Sequence, residues 1–216
     1  MEPEPMKTEH FIQLLAEDLP SRPGHPGTAL MRWMLPTAIL TGSAFLLLAG
    51  ARADLLGDGL LPTLMKMILG ALLAWAAIPG ARTLIRPEVS IDEPLRRLAT
   101  IAVFLAVLLG ADLMFRGADG WFLRMFGSSV VACLTIIPSL ALLPLIVSLC
   151  ALRGGATTAP ALSGGLAGLA SAGLAIIAYG VFCTEDNPVF VATWYSLAAV
   201  LVAALGAILG RNLLRW

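Results

Sequence analysis

The hydrophobic positions of this chain fall into six long runs separated by short polar breaks. Each run is long enough for one helix to cross about 30 Å of hydrocarbon. The breaks contain charged residues, glycines and prolines, which are typical of turns between helices. The pattern predicts an all-α membrane protein, a six-transmembrane-helix bundle in which consecutive helices are antiparallel. In windows of about 19 residues, the runs cover 33–50, 61–79, 98–115, 129–151, 161–183 and 188–210.

The segment before the first run has a different pattern. From Thr8 to Leu19, apolar residues alternate with acidic and amide residues at helical spacing. Thr8 is a suitable N-cap and Pro20 ends the predicted helix. The segment lacks the basic and apolar regions of a signal peptide. We therefore divide the chain into an N-terminal tail with an amphipathic helix, 1–30, and a six-helix transmembrane domain, 31–216.

The apolar face of the tail helix needs a surface on which to be buried. A helix that lies on a membrane usually has a polar face rich in Lys and Arg, whereas this polar face is mainly acidic, with Glu9, Glu17 and Asp18. Docking into a groove of a partner protein is the alternative. On the residues alone, passive packing and partner binding both stay open. The candidate partner-binding residues are Phe11, Leu14, Leu15, Asp18 and Leu19.

The distribution of Lys and Arg predicts which ends of the helices face the cytoplasm. With the N-terminus inside, ten of the fourteen basic residues fall on the inner side. Because positive charges are retained in cytoplasmic loops, the predicted topology has both termini in the cytoplasm. It places Cys133 and Cys183 toward the outer side and Cys150 near an inner helix end. The four outer basic residues are Arg52, Lys66, Arg116 and Arg124.

Composition narrows the class of function. Of 216 residues, 58% are hydrophobic and 13% are charged, and fourteen basic residues balance fourteen acidic ones. Without a basic excess to bind phosphates, direct nucleic-acid binding is not expected. No ionisable residue lies at the middle of a predicted span, where transporters place them. Lys66 and Asp112 come closest, and each is expected to extend to an interface. No catalytic motif is present, so we predict a protein that is not an enzyme.

Small residues predict how the last two helices pack. Gly164 and Gly168 share the spacing of Gly206 and Gly210, and this spacing lets two membrane helices approach closely. We therefore expect the fifth and sixth helices to be in tight contact. The amphipathic ring of Tyr195 falls at a predicted water boundary, the usual place for such rings, and needs no further role.

Several short sequences are shared with a known family. They are Leu14-Leu15-Ala16-Glu17-Asp18-Leu19 with the following proline, Asp54-Leu55, Cys133, the run from Cys183 to Tyr195 and the run from Gly210 to Trp216. On these residues the chain resembles the NrsF family of multi-pass bacterial anti-sigma factors over almost its whole length. The resemblance implies an inner-membrane protein whose tail sequesters an extracytoplasmic-function sigma factor. It also implies that Cys133 and Cys183 sense a metal or redox stress and trigger release.

Two kinds of chemistry are open for these cysteines. A transient metal ion would need both thiolates and a carboxylate, from Glu185 or Asp186 as auxiliary ligands. A disulfide needs only adjoining helices with Cα atoms about 4.4 to 6.8 Å apart. The two acidic residues are equally explained as solvated charges at the start of the last helix. The alternative functions are a small transporter or channel-like protein and, after it, a purely structural membrane subunit.

Overall fold

A computed structural model describes residue 12 and residues 26–84, 92–155, 157 and 159–214. These residues form helices and connectors, with no strand among them. Six of the helices are long and apolar enough to cross a membrane, which confirms the predicted all-α bundle. The helices are α1 (Pro26–Ala49), α2 (Leu60–Thr83), α3 (Asp92–Arg116), the short α4 (Trp121–Met125), α5 (Val130–Leu152), α6 (Pro160–Phe182) and α7 (Pro188–Leu213).

The predicted tail helix falls almost entirely outside the described residues. Only Ile12 is described, and it is helical and exposed. The candidate partner-binding residues Phe11, Leu14, Leu15, Asp18 and Leu19 all lie outside. Partner binding by this segment stays a prediction.

The helix α6 lies at the centre of the bundle, because its small residues let its neighbours approach. It packs against α1, α2, α5 and α7. A Cβ atom added at Gly164 would overlap the carbonyl oxygen of Gly206, and one added at Gly206 would overlap that of Gly164. Backbone therefore lies directly on backbone. The predicted tight contact between the last two long helices is confirmed.

A second glycine contact joins α6 to α2. A Cβ atom built on Gly70 would lie 2.5 Å from the carbonyl oxygen of Gly173, and the reverse distance is also 2.5 Å. The sequence pattern did not single out this pair. Together the two contacts fix α6 against α2 on one side and α7 on the other.

One end of the bundle carries Cys183, and we call it the Cys183 end. There α1, α3 and α6 end, while α2, α5 and α7 begin. Near its start α7 contains a π turn, Val191–Tyr195, which widens the helix by one residue. The indole N–H of Trp194 donates a hydrogen bond of 2.7 Å to the carbonyl oxygen of Met125. The short helix α4 is thereby held against α7.

Candidate functional site

The structure brings Cys133 and Cys183 together at the Cys183 end. Cys133 lies in the first turn of α5, and Cys183 caps the end of α6 by donating its backbone N–H to the Tyr179 carbonyl oxygen. Both side chains are buried and neither is in a disulfide, and Tyr179 contacts both residues, Cys133 through its hydroxyl and Cys183 through its carbonyl oxygen. The third thiol, Cys150, is exposed near the far end of α5. The two predicted sensing residues therefore share one site.

Two tyrosines line the same site. The Cys133 thiol is 3.5 Å from the hydroxyl oxygen of Tyr179, and Tyr195 packs against Tyr179 with ring centroids 5.7 Å apart. The Tyr195 hydroxyl is buried and has no hydrogen-bond partner among the described residues. The expectation that Tyr195 is only a boundary residue was wrong: it is fully buried, because the last residue of the π turn points into the bundle.

A buried arginine joins the connectors of two different helices. Arg52, which follows α1, bonds both oxygens of Asp54 at 2.7 Å. It also bonds both oxygens of Asp186, at 2.6 and 2.7 Å. Two bidentate pairs of this kind fix a guanidinium in both position and plane. The connector 183–187 is thus attached to the connector after α1.

Lys66 on α2 completes this arrangement. Its ammonium group donates hydrogen bonds to the carbonyl oxygen of Cys183, at 2.8 Å, and to Asp186, at 2.9 Å. The expectation that Lys66 extends to an interface was wrong, because it is fully buried and finds both acceptors inside the bundle. Gly180 makes room for it, since an added Cβ there would lie 3.1 Å from the Lys66 Cβ. Charged groups within membrane helices are costly and commonly mark functional sites.

Arg52, Asp54, Lys66 and Asp186 form what we call the ion cluster. Hydrogen bonds from Arg52 hold the pKa of Asp54 below its usual range. Burial opposes ionisation of Asp186, but hydrogen bonds from Arg52 and Lys66 outweigh it, so its pKa is also lowered. The hydrogen bonds to Asp186 in turn raise the pKa of Arg52. Both carboxylates are therefore charged at neutral pH.

The two candidate auxiliary residues already have partners. Asp186 belongs to the ion cluster, and Glu185 accepts bonds of 2.7 Å from both the backbone N–H and the hydroxyl of Ser128. Among the described residues, no three His, Cys, Asp or Glu side chains are grouped as a metal site would require. To bind a metal ion together with Cys133 and Cys183, Asp186 would have to compete with its ion-cluster bonds, whereas Glu185 has a second oxygen outside its Ser128 bonds.

Asp112 has a different position from the one expected. Instead of extending to an interface, it is buried at the end of α3. The Arg124 guanidinium reaches it at 3.1 Å and that of Arg116 at 3.8 Å. Arg124 bonds one carboxylate oxygen, while the other oxygen is buried without a hydrogen-bond partner among the described residues and has only the more distant Arg116 charge nearby. The Arg124 contact ties α3 to α4, whereas Arg116 belongs to α3 itself.

A cavity of about 280 Å³ lies at the Cys183 end and is lined by one of the two cysteines. Its walls come from the connector after α1, the start of α5 and the end of α6. Cys183 and Tyr179 line it, whereas Cys133 does not. The lining residues include Ala51, Arg52, Ser129, Ala132, Tyr179 and Cys183.

Comparison with known proteins places this arrangement in a family. A family model described as NrsF, negative regulator of sigma F, matches residues 15–216. The anti-sigma-F factor NrsF of Caulobacter vibrioides is 41% identical over 92 residues, which cover 43% of each chain. The probable anti-sigma-F factor NrsF of Azospira oryzae is 31% identical over 138 residues, which are 64% of this chain and 61% of that protein. The aligned regions thus span about half the length of these relatives. No solved structure matches the chain.

Proposed function

Because this chain belongs to the NrsF family of negative regulators of sigma F, we propose that it is a bacterial anti-sigma factor. It resides in the inner membrane and holds an extracytoplasmic-function sigma factor inactive. The observation that carries this proposal is the family match, which includes all six long helices and the end of the tail helix. The names of the two relatives agree with it. The role is regulatory rather than enzymatic.

The tail is the proposed sigma-binding element. A sigma factor acts in the cytoplasm, so this role requires the N-in topology that the distribution of basic residues predicts. The apolar face formed by Phe11, Leu14, Leu15 and Leu19 would dock in a groove, and Asp18 would lie at its edge. Such a helix provides a few apolar anchors at helical spacing, which is sufficient for a regulatory complex.

Replacing the apolar face of the tail is expected to abolish sigma-factor capture. We would make Leu14→Ser, Leu15→Ser and Leu19→Ser together in the full chain, held in detergent micelles. Each leucine buried in a groove contributes about 1.5 to 3 kcal/mol, so the affinity should fall by a factor of about 1,000 or more. Capture of the sigma factor from host lysate, followed by mass spectrometry, measures it. Glu9→Gln, on the polar face, is the matched control.

Capture of the same sigma factor by the triple variant would refute the tail as the binding element. The cytoplasmic connectors would then be the next candidates. Failure of both the unaltered chain and the control to capture any sigma factor would refute the anti-sigma function itself.

The thiols are the proposed sensor. We propose that Cys133 and Cys183 respond to a metal or redox stress on the outer side and that the response releases the sigma factor. Their shared position beside Tyr179 supports this role, as does the hydrogen bond from Lys66, on a second helix, to the Cys183 carbonyl oxygen. A change at the thiols would thereby reach α2 through a direct bond.

Removing either sensing thiol is expected to leave the sigma factor repressed under stress. We would measure a sigma-dependent reporter in cells treated with diamide or with a thiophilic metal salt. Cys133→Ser and Cys183→Ser should each lose most of the induction, because neither a disulfide nor a two-thiol site can form. Cys150→Ser should respond like the natural chain, since its thiol lies near the other end of α5. Normal induction in both of the first two variants would contradict the sensing role.

A small transporter is the second candidate, and Lys66 is the observation that favours it. Buried charges in membrane helices often line ion or substrate pathways. Here the ammonium group is bonded to Asp186, which favours a structural use. Solute flux in proteoliposomes, with no effect of gene deletion on sigma-dependent transcription, would support the transporter.

A further inference from the structure

The cavity at the Cys183 end gives the two thiols different access to solutes. Ala132 and Ser129, at the start of α5, provide small side chains on one wall, and Arg52 provides a polar group on another. Cys183 reaches this cavity, whereas Cys133 lies behind it with no exposed surface. A molecule that enters from the surface therefore meets Cys183 first.

We infer that this cavity is the port of the sensor, through which a small uncharged oxidant reaches Cys183, and that Cys133 then closes a disulfide with it. This inference rests on the proposed sensing role of the two thiols. It gives the two thiols different roles, because Cys183 reacts with the oxidant and Cys133 closes the disulfide. The sequence alone does not tell these roles apart. The inference also names the chemical class of the signal as a hydroperoxide.

The charges around the port favour an uncharged molecule. Arg52 is the charged residue in the lining, and its guanidinium is already paired with Asp54 and Asp186. No uncompensated positive charge is left in this lining to attract an anion. The volume of about 280 Å³ accommodates hydrogen peroxide or a short alkyl hydroperoxide with water.

The surroundings of the thiols favour a disulfide over a metal site. Asp186 is held by Arg52 and Lys66, and both Ser128 bonds of Glu185 end on one oxygen, so a metal ion would have to compete with two ion pairs for Asp186 and would have the second oxygen of Glu185 as its other carboxylate ligand. Two sulfurs alone make an incomplete shell for most divalent ions. Two thiols in one buried site, with Tyr179 next to both residues, need in contrast only an oxidant to form a disulfide.

The chemistry proceeds in two balanced steps. The Cys183 sulfur attacks the terminal oxygen of the hydroperoxide, an S–O bond forms, the O–O bond breaks, and the alcohol leaves with the thiol proton. The product is a sulfenic acid. The Cys133 sulfur then attacks the Cys183 sulfur, an S–S bond forms, the S–O bond breaks, and water leaves with the second thiol proton. Two thiols are oxidised by two electrons, which reduce the peroxide.

Trapping the sulfenic acid tests the order of the two steps. We would treat the full chain with Cys150→Ser, in micelles, with hydrogen peroxide and dimedone, and locate adducts by mass spectrometry. With Cys133→Ser added, we expect a dimedone adduct at Cys183. With Cys183→Ser added instead, we expect at least a tenfold lower yield at Cys133. Equal yields, or a higher yield at Cys133, would overturn the proposal.

Filling the cavity tests the port. Ala132→Leu extends a side chain into it and should slow disulfide formation by hydrogen peroxide at least tenfold, whereas Val131→Leu on the exposed neighbouring position should not change the rate. A second test uses the unaltered chain. Cumene hydroperoxide should form the disulfide much more slowly than hydrogen peroxide at equal concentration. Equal rates for the two peroxides would overturn the port even if Ala132→Leu fails to fold.

These assays involve no sigma factor, so their outcome is separate from the sensing role. If the port chemistry occurs but Cys133→Ser and Cys183→Ser cells still induce normally, the sensing role fails and the port chemistry stands. If those cells lose induction but the adduct forms first on Cys133, the sensing role stands. The proposal that the oxidant reaches Cys183 through the cavity is then refuted.

Discussion

Asp186→Leu is expected to lower the free energy of unfolding by about 3 to 5 kcal/mol, because it leaves a buried cation without its carboxylate. Lys66 is fully buried, and Asp186 is the carboxylate it bonds. Arg52 would keep Asp54 but lose its second bidentate partner. The change is measured by unfolding the protein with SDS in mixed micelles and monitoring the loss of helix by circular dichroism.

Two comparison variants separate the effect of an unpaired buried charge on stability from the effect of losing hydrogen bonds in general. Asp54→Asn should cost about 1 kcal/mol or less, because its carboxylate is half exposed and Arg52 retains Asp186. Adding Lys66→Met to Asp186→Leu should recover part of the loss, since an apolar pair replaces an unpaired charge. A cost for Asp186→Leu no greater than that of Asp54→Asn would contradict the explanation.

The pH dependence of the same effect has a definite sign. The pKa of Asp186 is depressed in the folded chain, so its contribution to stability is present above the unfolded pKa of about 3.9 and is lost as pH falls through the folded pKa. The difference in stability between the natural chain and Asp186→Leu should therefore be the same at pH 7 and pH 5.

Gly164→Ala is expected to destabilise the bundle by about 2 to 3 kcal/mol, although alanine is the better helix former. Its Cβ would overlap the backbone of Gly206, and a backbone cannot rotate away as a side chain can. The neighbouring Gly165→Ala is the matched control, because its Cβ would meet Ala207 at an ordinary 3.5 Å. It should be neutral or slightly stabilising.

The same SDS unfolding assay measures both alanine variants. Equal stability of Gly164→Ala and Gly165→Ala would show that α6 and α7 do not depend on the close backbone contact. A lower free energy of unfolding for Gly164→Ala alone, with helical content unchanged before unfolding, would show that the loss of stability comes from the packing of these two helices.

The helices were predictable because the signal for each one lies within its own stretch of sequence. A run of apolar residues long enough to cross a membrane is visible without knowledge of its neighbours. The glycine spacing in α6 and α7 was likewise readable, since Gly164 and Gly206 each belong to a local repeat. The resemblance and the topology together placed Cys133 and Cys183 on one side, and the structure brings them into one site.

The ion cluster could not be predicted in the same way, because its members are distant in sequence. Lys66 and Asp186 are 120 residues apart, and hydropathy does not distinguish a lysine that reaches an interface from a buried lysine that bonds a carboxylate of a connector. Tyr195 was misplaced for a related reason: a π turn changes the direction of the residues within it. The signal in the sequence is the single Lys66 inside an otherwise apolar run.

The ion cluster also bears on how this chain would respond to the membrane potential. A charge that crosses the field gains or loses about 2.3 kcal/mol per 100 mV. The cluster combines two cations with two carboxylates, so its formal charges cancel. A rearrangement that keeps the four side chains together moves no net charge through the field. Its equilibrium would therefore be the same in an energised cell and in a depolarised one.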